Sequence, residues 1–400
     1  MKPRSTLATL ALGVALSVGC APAAAQDTLV VRIEDRPEWG DNPRVVEWMR
    51  IGVLEGDEAY TFGSVSDVAL GESNEVWVAD SQSRSIRRFD EHGHAMDAVG
   101  REGEGPGEFK NLQALERFPD KSMVTWDPGL FRVSIFNPDG SFLRSFPVPT
   151  GQMVGSPQAF RAGDDSTVYV LVLANFLEDR ENYYPQWIHV DMDGQVLDTL
   201  DGLPSRREGP LAFSTRTTYA ISGQGYVVQG RTDRWAVSRP LPGGRPLRIE
   251  RPYQPIPFGS LERREADARE KFFAEKRWGI QAQPIPRTKP VFRELEVDQE
   301  GRIWMRLHAP AIRIPMTPGE EAGLERAQEM FGADDAPPPQ EWRERAVYDV
   351  VEPDGTYLGR VELPYWNSRL VAARGRDVWV VQTGEYGENY VVQYRIEKGN

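Results

Sequence analysis

Cysteine is almost missing from this chain. One residue in 400, Cys20, carries a thiol, and it falls within the first 25 residues. Cleavage after Ala25 would leave a thiol-free protein, which excludes disulfides as the stabilising device even in an exported compartment that permits them. Histidine is scarce as well, with four residues. His92 and His94 share one turn with no cysteine nearby, and His189 and His308 stand alone, so a metal centre built from several histidines has too few ligands. Positive charge is the minority sign: 47 basic residues against 60 acidic ones give a net charge of −13. Removing the basic N-terminus makes the rest more acidic still. Nucleic acid and anionic membrane surfaces both need a positive footprint, so neither is expected as a partner. Long apolar runs are confined to Leu7 to Val18, which is too short to span a bilayer.

That apolar run has a job. Lys2 and Arg4 precede it and Ala23-Ala24-Ala25 follow it, which is the layout of a secretory signal over residues 1–25, cleaved before Gln26. The mature chain is therefore expected in the periplasm or outside the cell. A second reading stays open. Leu16-Ser17-Val18-Gly19-Cys20 resembles a bacterial lipobox with its leucine one place early. In that case Cys20 would be acylated and would tether the protein to the outer membrane.

What the chain has in abundance is tryptophan, glycine and proline, at 11, 37 and 31 residues, which suits a β protein dense in turns. Two landmarks recur six times. One is a short apolar-aromatic strand: Val76-Trp77-Val78, Val124-Thr125-Trp126, Val168-Tyr169-Val170, Tyr226-Val227-Val228, Ile303-Trp304-Met305 and Val378-Trp379-Val380. The other is a strand ending in a tight turn, as in Phe89-Asp90-Glu91-His92-Gly93, Phe136-Asn137-Pro138-Asp139-Gly140 and Val351-Glu352-Pro353-Asp354-Gly355. Asp-Gly turns supply the positive φ that a tight hairpin needs. With a strand before the first landmark and another after the second, each unit has four strands. Six such units make an all-β, six-bladed β-propeller. The last unit lacks its fourth strand at the C-terminus, and Val45 to Gly52 is left over near the N-terminus. This strand is expected to complete blade six and close the ring. The organisation is then a 26–43 extension and a propeller over 44–400.

Val78-Ala79-Asp80-Ser81-Gln82-Ser83-Arg84-Ser85-Ile86-Arg87-Arg88-Phe89 resembles an NHL repeat, and Gly103-Glu104-Gly105-Pro106-Gly107-Glu108-Phe109 is similar to the NHL linker between blades. The likeness is strong over residues 62–145 and fades to periodicity beyond. It implies a propeller that binds protein, nucleic acid or a small ligand, with some relatives being lactonases or lyases. It also implies that Asp80 pairs with a nearby arginine or with backbone. The acidic balance speaks against the RNA-binding branch.

Blade connectivity sorts the loops into two faces. The short turns share one face; the long insertions 174–186, 251–288 and 309–343 share the other. Long loops on a rigid scaffold usually carry function. Leu261 to Trp278 and Glu320 to Phe331 are expected helices within the two later insertions, giving helical insertions on one face. His92-Gly93-His94 and Asp191-Met192-Asp193-Gly194 fall on the short-turn face and read as turns. Gly103-Glu104-Gly105-Pro106-Gly107 is no phosphate loop, because no helix follows and Pro106 removes a donor. No Gly-x-Ser-x-Gly elbow is present.

The channel mouth on the long-loop face is the expected ligand site. Its residues are Asp67, Lys110, Asn111, Gln158, Arg216, Arg287, Lys289, Asn367 and Arg369. This ring is basic and amide-rich and poor in carboxylates, whereas a calcium site needs several converging oxygens. Tyr183, Tyr184, Trp187, Trp278, Trp342, Tyr365 and Trp366 lie on or near the same face. The expected function is an exported, non-catalytic binding propeller that holds a protein, a peptide or a small anionic ligand, as a monomer, with no metal and no cofactor. The alternative is a lactonase-like hydrolase or lyase acting at the channel mouth.

Overall fold

A computed structural model describes residues 28–34, 36–148, 159–174, 184–200 and 208–399. The expected signal segment, Gln158 and most of the 174–186 insertion lie outside these residues. The described chain forms six antiparallel blades in a ring. Blade one runs through Val65–Leu70, Val76–Asp80, Ser85–Phe89 and Ala95–Val99. Blade two uses Ala114–Arg117, Met123–Asp127, Arg132–Phe136 and Phe142–Pro147, and blade three Phe160–Ala162, Val168–Ala174, Tyr184–Val190 and Val196–Leu200. Blade four is Thr217–Ile221, Val227–Arg231, Ala236–Pro240 and Pro246–Glu250; blade five is Phe292–Val297, Ile303–Leu307, Val347–Val351 and Tyr357–Glu362. Blade six contains Arg369–Arg374, Asp377–Thr383 and Asn389–Glu397, and its fourth strand is the N-terminal Arg44–Ile51. That strand pairs antiparallel with the C-terminal one from Arg44↔Glu397 to Ile51↔Val391, so the expected ring closure is present.

The aromatic landmark explains why blades stack. Trp77, Trp126, Trp304 and Trp379 are all buried. Each sits on a second strand, and the core clusters lie between neighbouring blades: Trp77 with Leu115 and Phe136, Trp126 with Phe160, Trp304 with Leu370, Trp379 with Val68. The turn landmark is explained by its first aspartate. Asp90 Oδ1 accepts the N–H groups of His92 and His94 at 2.9 and 2.8 Å, while Gly93 takes φ +81°. Asp191 does the same for Asp193 and Gln195 at 2.8 Å each. The His-x-His and Asp-x-Asp-Gly clusters are thus hairpin turns.

The N-terminal extension holds a strand that the repeat did not reveal. Leu29–Arg32 pairs parallel with Leu247 to Glu250 and gives blade four a fifth strand. The chain then crosses the outer rim. Ile33 N–H donates to Glu250 O at 3.0 Å, Trp39 N–H to Leu358 O at 2.8 Å, and Gly399 N–H to Trp39 O at 2.8 Å. Gly40, at φ +79°, lies so close to Gly399 that a Cβ would meet its backbone. This strap ties blades four, five and six together from outside.

Two α-helices form among the described residues, both from the insertions. α1 is Ser260–Lys271 and continues as a π-helical turn to Arg277; α2 is Pro318–Phe331. α2 starts where Thr317 Oγ1 accepts the Glu320 N–H at 3.3 Å and the Glu320 carboxylate accepts the Thr317 N–H at 2.8 Å, a reciprocal cap. Ala311–Arg313 and Trp342–Glu344 pair as an extra two-stranded sheet at the base of the α2 insertion. No helix of the described residues is long and apolar enough to cross a membrane.

Candidate functional site

α1 is so charged that it reads as a solvated surface helix. Its charges instead dock it. Glu262 Oε1 meets Lys289 Nζ at 2.5 Å. The Glu265 carboxylate accepts the N–H groups of Glu341 and Trp342 at 2.8 and 3.1 Å. Glu270 accepts those of Leu211 and Gln283 at 2.7 and 3.2 Å, and Arg269 donates to Pro338 O at 2.6 Å. The α2 insertion is pinned by Arg343, which makes two bonds to Glu320 at 2.7 and 2.8 Å and lies 3.9 Å from the centre of the Trp366 ring.

Between these two insertions and the loops of blade six lies a cleft of about 880 Å³, within the range of small-molecule sites. Its walls carry Phe213, Phe273, Trp278, Trp342 and Trp366, and its floor Arg293, Arg306 and Arg369. Arg369 also borders a narrower space of about 110 Å³ in the axial channel. The cleft and the channel therefore meet at one arginine.

The channel differs from the expected ring. It is lined by Asp67, Glu116, Glu296 and Asp298 beside Arg161 and Arg369, so it is rich in carboxylates. The expectation came from residues that open the inner strands and included Asp67, whereas Glu116 and Glu296, inside those strands, were not among them. Several of these groups staple one blade to another. Asp67 Oδ2 accepts the Leu115 N–H of blade two at 2.9 Å. Glu116 Oε2 accepts the Ala162 N–H of blade three at 2.9 Å. Arg161 donates to Val297 O at 2.7 Å across to blade five, and Arg369 donates to Val65 O and Ser66 O at 3.0 Å each, joining blade six to blade one. No set of three His, Cys, Asp or Glu side chains suited to a metal ion occurs among the described residues.

Burial pushes Asp67 up to about 7, with Leu115 N–H opposing and the Glu116 charge adding to the rise. Burial and the neighbouring Glu294 push Glu296 up to about 8, against Arg306, Arg369 and Arg161. The folded state therefore holds protons that the unfolded chain gives up near pH 4. The stability these two groups contribute is full below the unfolded pKa and is lost as pH rises towards 7 and 8. The melting temperature should fall between pH 5 and pH 8, and Glu296→Gln should flatten that slope and stabilise the protein at pH 8. Thermal unfolding across that range checks this; an unchanged slope in the variant removes Glu296 from the account.

The other expected site residues are spread out. Lys110 and Asn111 donate their N–H groups to Asp127 at 2.7 and 3.1 Å, and Lys110 Nζ meets Glu104 at 3.1 Å. Asp80 holds the N–H groups of Gly63 and Ser64 in the same way, at 3.1 and 2.9 Å. Arg216 donates to Arg293 O at 3.0 Å. Arg287 is exposed. Asn367 lines the cleft and bonds Thr383 O. Lys289 is buried, with Nζ on Glu262, on Glu344 at 2.8 Å and on Ala309 O at 2.6 Å. Burial works against ionisation of Glu344, yet His308, Arg293 and Lys289 hold it well below the usual carboxylate range. Burial pushes His308 down, despite Glu344. Of the nine residues, Asp67 and Arg369 share the channel, and Arg369 and Asn367 share the cleft. Of the expected aromatics, Trp278, Trp342 and Trp366 line the cleft, whereas Trp187 is buried in the blade core. The cleft floor from Arg293 and Arg306 was missed; the signal was an arginine at the start of Phe292–Val297 and another at the end of Ile303–Leu307, which antiparallel pairing brings to one end.

No protein-family model matches the chain, and no curated protein matches it in sequence. Solved structures do match in shape. One is a member of the DUF4221 family from Bacteroides vulgatus, 12% identical, with 89% of this chain and 99% of that one covered and a TM-score of 0.50. Another is an exported-protein candidate from Bacteroides fragilis, 10% identical over 93% and 99% of the two chains, with a TM-score of 0.48. A third is the PQQ-bound aldose sugar dehydrogenase of Streptomyces coelicolor, 12% identical over 91% and 100%, with a TM-score of 0.45. At such identities the likeness bears on the fold alone, and the chain is a six-bladed β-propeller.

Proposed function

We propose that this chain is an exported binding propeller that takes a small ligand in the cleft between α1, the α2 insertion and blade six. One observation carries the reading: two insertions, separate in sequence, converge on one face to wall a cleft of about 880 Å³ with aromatic side chains over an arginine floor. Aromatic and arginine side chains are what binding surfaces concentrate. The leader at residues 1–25 supplies the export, with cleavage after Ala25 or acylation at Cys20 deciding between a free and a tethered form. The NHL-like segment 62–145 fits a scaffold of this kind and lies away from the cleft.

The test is thermal. A panel of small metabolites is screened for compounds that raise the melting temperature of the mature protein. Bound at 100 times its Kd, a ligand stabilises by about 2.7 kcal/mol. Trp366→Ala, which removes one cleft wall, should weaken such a compound at least ~10-fold. Hits that stabilise the variant equally would place binding elsewhere and sink the reading.

One observation favours a second reading. Asp67 and Glu296 are carboxylates with raised pKa values in a channel that opens onto the cleft, and such groups mark catalytic acids and bases. A hydrolase or lyase acting there should turn over a member of a lactone panel and lose that turnover in Glu296→Gln. Turnover that survives the substitution removes Glu296 from any such chemistry.

A further inference from the structure

We propose that the cleft is built for an organic anion with a flat apolar body, and that Arg369 is its charge partner. This rests on the reading of the cleft as the ligand site and gives that ligand its class.

Each oxygen of the carboxylates that line the cleft already has a donor. Glu262 divides its oxygens between Lys289 and the Gly259 N–H. Glu344 holds Lys289, Arg293 and His308. Glu320 holds Arg343 and the Thr317 N–H. Glu265 and Glu270 accept backbone N–H groups on both oxygens. No carboxylate edge is left turned to the cavity to repel an anion. Five arginines line the cleft. Arg293, Arg306 and Arg343 face Glu344, Glu294 and Glu320, and Arg269 donates to Pro338 O and lies over the Phe273 ring. Arg369 meets only the carbonyls of Val65 and Ser66, through one terminal nitrogen. A carbonyl accepts a hydrogen bond without cancelling the charge. Among the described residues no carboxylate lies within ion-pair distance of Arg369; Asp67 and Glu296 feel its charge from the channel, and the other edges of its guanidinium keep their donors. It sits where the cleft narrows to the channel, the place where a headgroup would stop. A guanidinium matches a carboxylate or sulfonate with two parallel bonds.

The body of the ligand is set by the walls. Trp366 is held from one side by Arg343, and the Trp342 backbone is held by Glu265 where that residue lines the cleft. A held ring offers a flat apolar face at little entropic cost on binding.

A matched pair of probes tests this with the mature protein: the aromatic sulfonate 1-anilinonaphthalene-8-sulfonate and its neutral parent N-phenyl-1-naphthylamine. The anion is expected to bind once per chain and at least ~10-fold more tightly than the neutral probe. Arg369→Gln should erase that difference. Because Arg369 also joins blade six to blade one, a second variant, Ala212→Trp, fills the cleft from an exposed wall position and leaves Arg369 in place; it should abolish both probes with the melting temperature unchanged. Equal affinities, with both probes lost in Ala212→Trp, overturn the anionic class and leave the cleft as a ligand site. Anion binding indifferent to Ala212→Trp overturns both. Absence of saturable anion binding overturns the class as well.

Discussion

A chain lacking residues 26–51 should show no cooperative unfolding transition where the full mature chain shows one. The reason is topological. The strand Arg44–Ile51 is the outer strand of blade six, yet it leads directly to blade one, so the ring is closed by its pairing with Asn389–Glu397. Remove it and the backbone donors and acceptors of the C-terminal strand face water as an open edge, which invites pairing with other chains. Ile51 and Val391 are buried together against blade one, and they would be exposed as well. Domains of this kind are stable by only about 5–15 kcal/mol, and losing a whole strand with its packing consumes that margin. Deleting residues 26–41 alone makes a sharper comparison. It spares the closing strand but removes the fifth strand of blade four and Trp39, which is buried against Trp304 with ring centres 6.2 Å apart. Losing a buried tryptophan costs about 3–5 kcal/mol. The shorter deletion should therefore fold with a lowered urea midpoint, while the longer one should aggregate or stay unfolded by circular dichroism. A longer deletion that unfolds cooperatively at the full-length midpoint would show that the ring does not depend on this strand.

The closing strand was legible because Trp48-Met49-Arg50-Ile51-Gly52 repeats the pattern of Ala95-Met96-Asp97-Ala98-Val99-Gly100, an outer strand of another blade. The strap before it was not. Leu29–Arg32 pairs in parallel with a strand more than two hundred residues away, and no turn or period announces such a partner. Of the channel carboxylates, Asp67 was among the expected residues, but Glu116 and Glu296 were hidden for a different reason. Both lie within innermost strands, as do Asp67 and Arg161. A charged residue recurring inside the innermost strand of successive blades was the available signal, and it means an axis-facing side chain rather than a solvated one. The cleft was only half legible. Spacing placed the 251–288 and 309–343 insertions on one face, but their sequences are rich in Arg and Glu, which usually means solvent. Here those charges bond backbone groups and one another across the insertions, a pairing that depends on three-dimensional approach and leaves no periodic trace.

Lys289 shows what that difference is worth. As a ligand residue at a solvated mouth, Lys289→Met would alter stability by less than ~0.5 kcal/mol. As the cation between Glu262 and Glu344, at 2.5 and 2.8 Å with a side chain 0% exposed, it should cost about 3–5 kcal/mol, because removing one partner leaves buried negative charge behind. Glu344 would keep Arg293 and His308. Glu262 would keep only the Gly259 N–H at 3.1 Å, so it becomes the uncompensated group. One further result follows from that assignment. Adding Glu262→Gln should restore part of the lost stability by removing the stranded charge, a recovery that independent sites do not give. Urea unfolding of the two single variants and the double variant decides the matter. A penalty below ~0.5 kcal/mol would return Lys289 to the solvated rim. A large penalty relieved by Glu262→Gln makes it the strut that holds α1 to blade five, and with it the wall of the cleft.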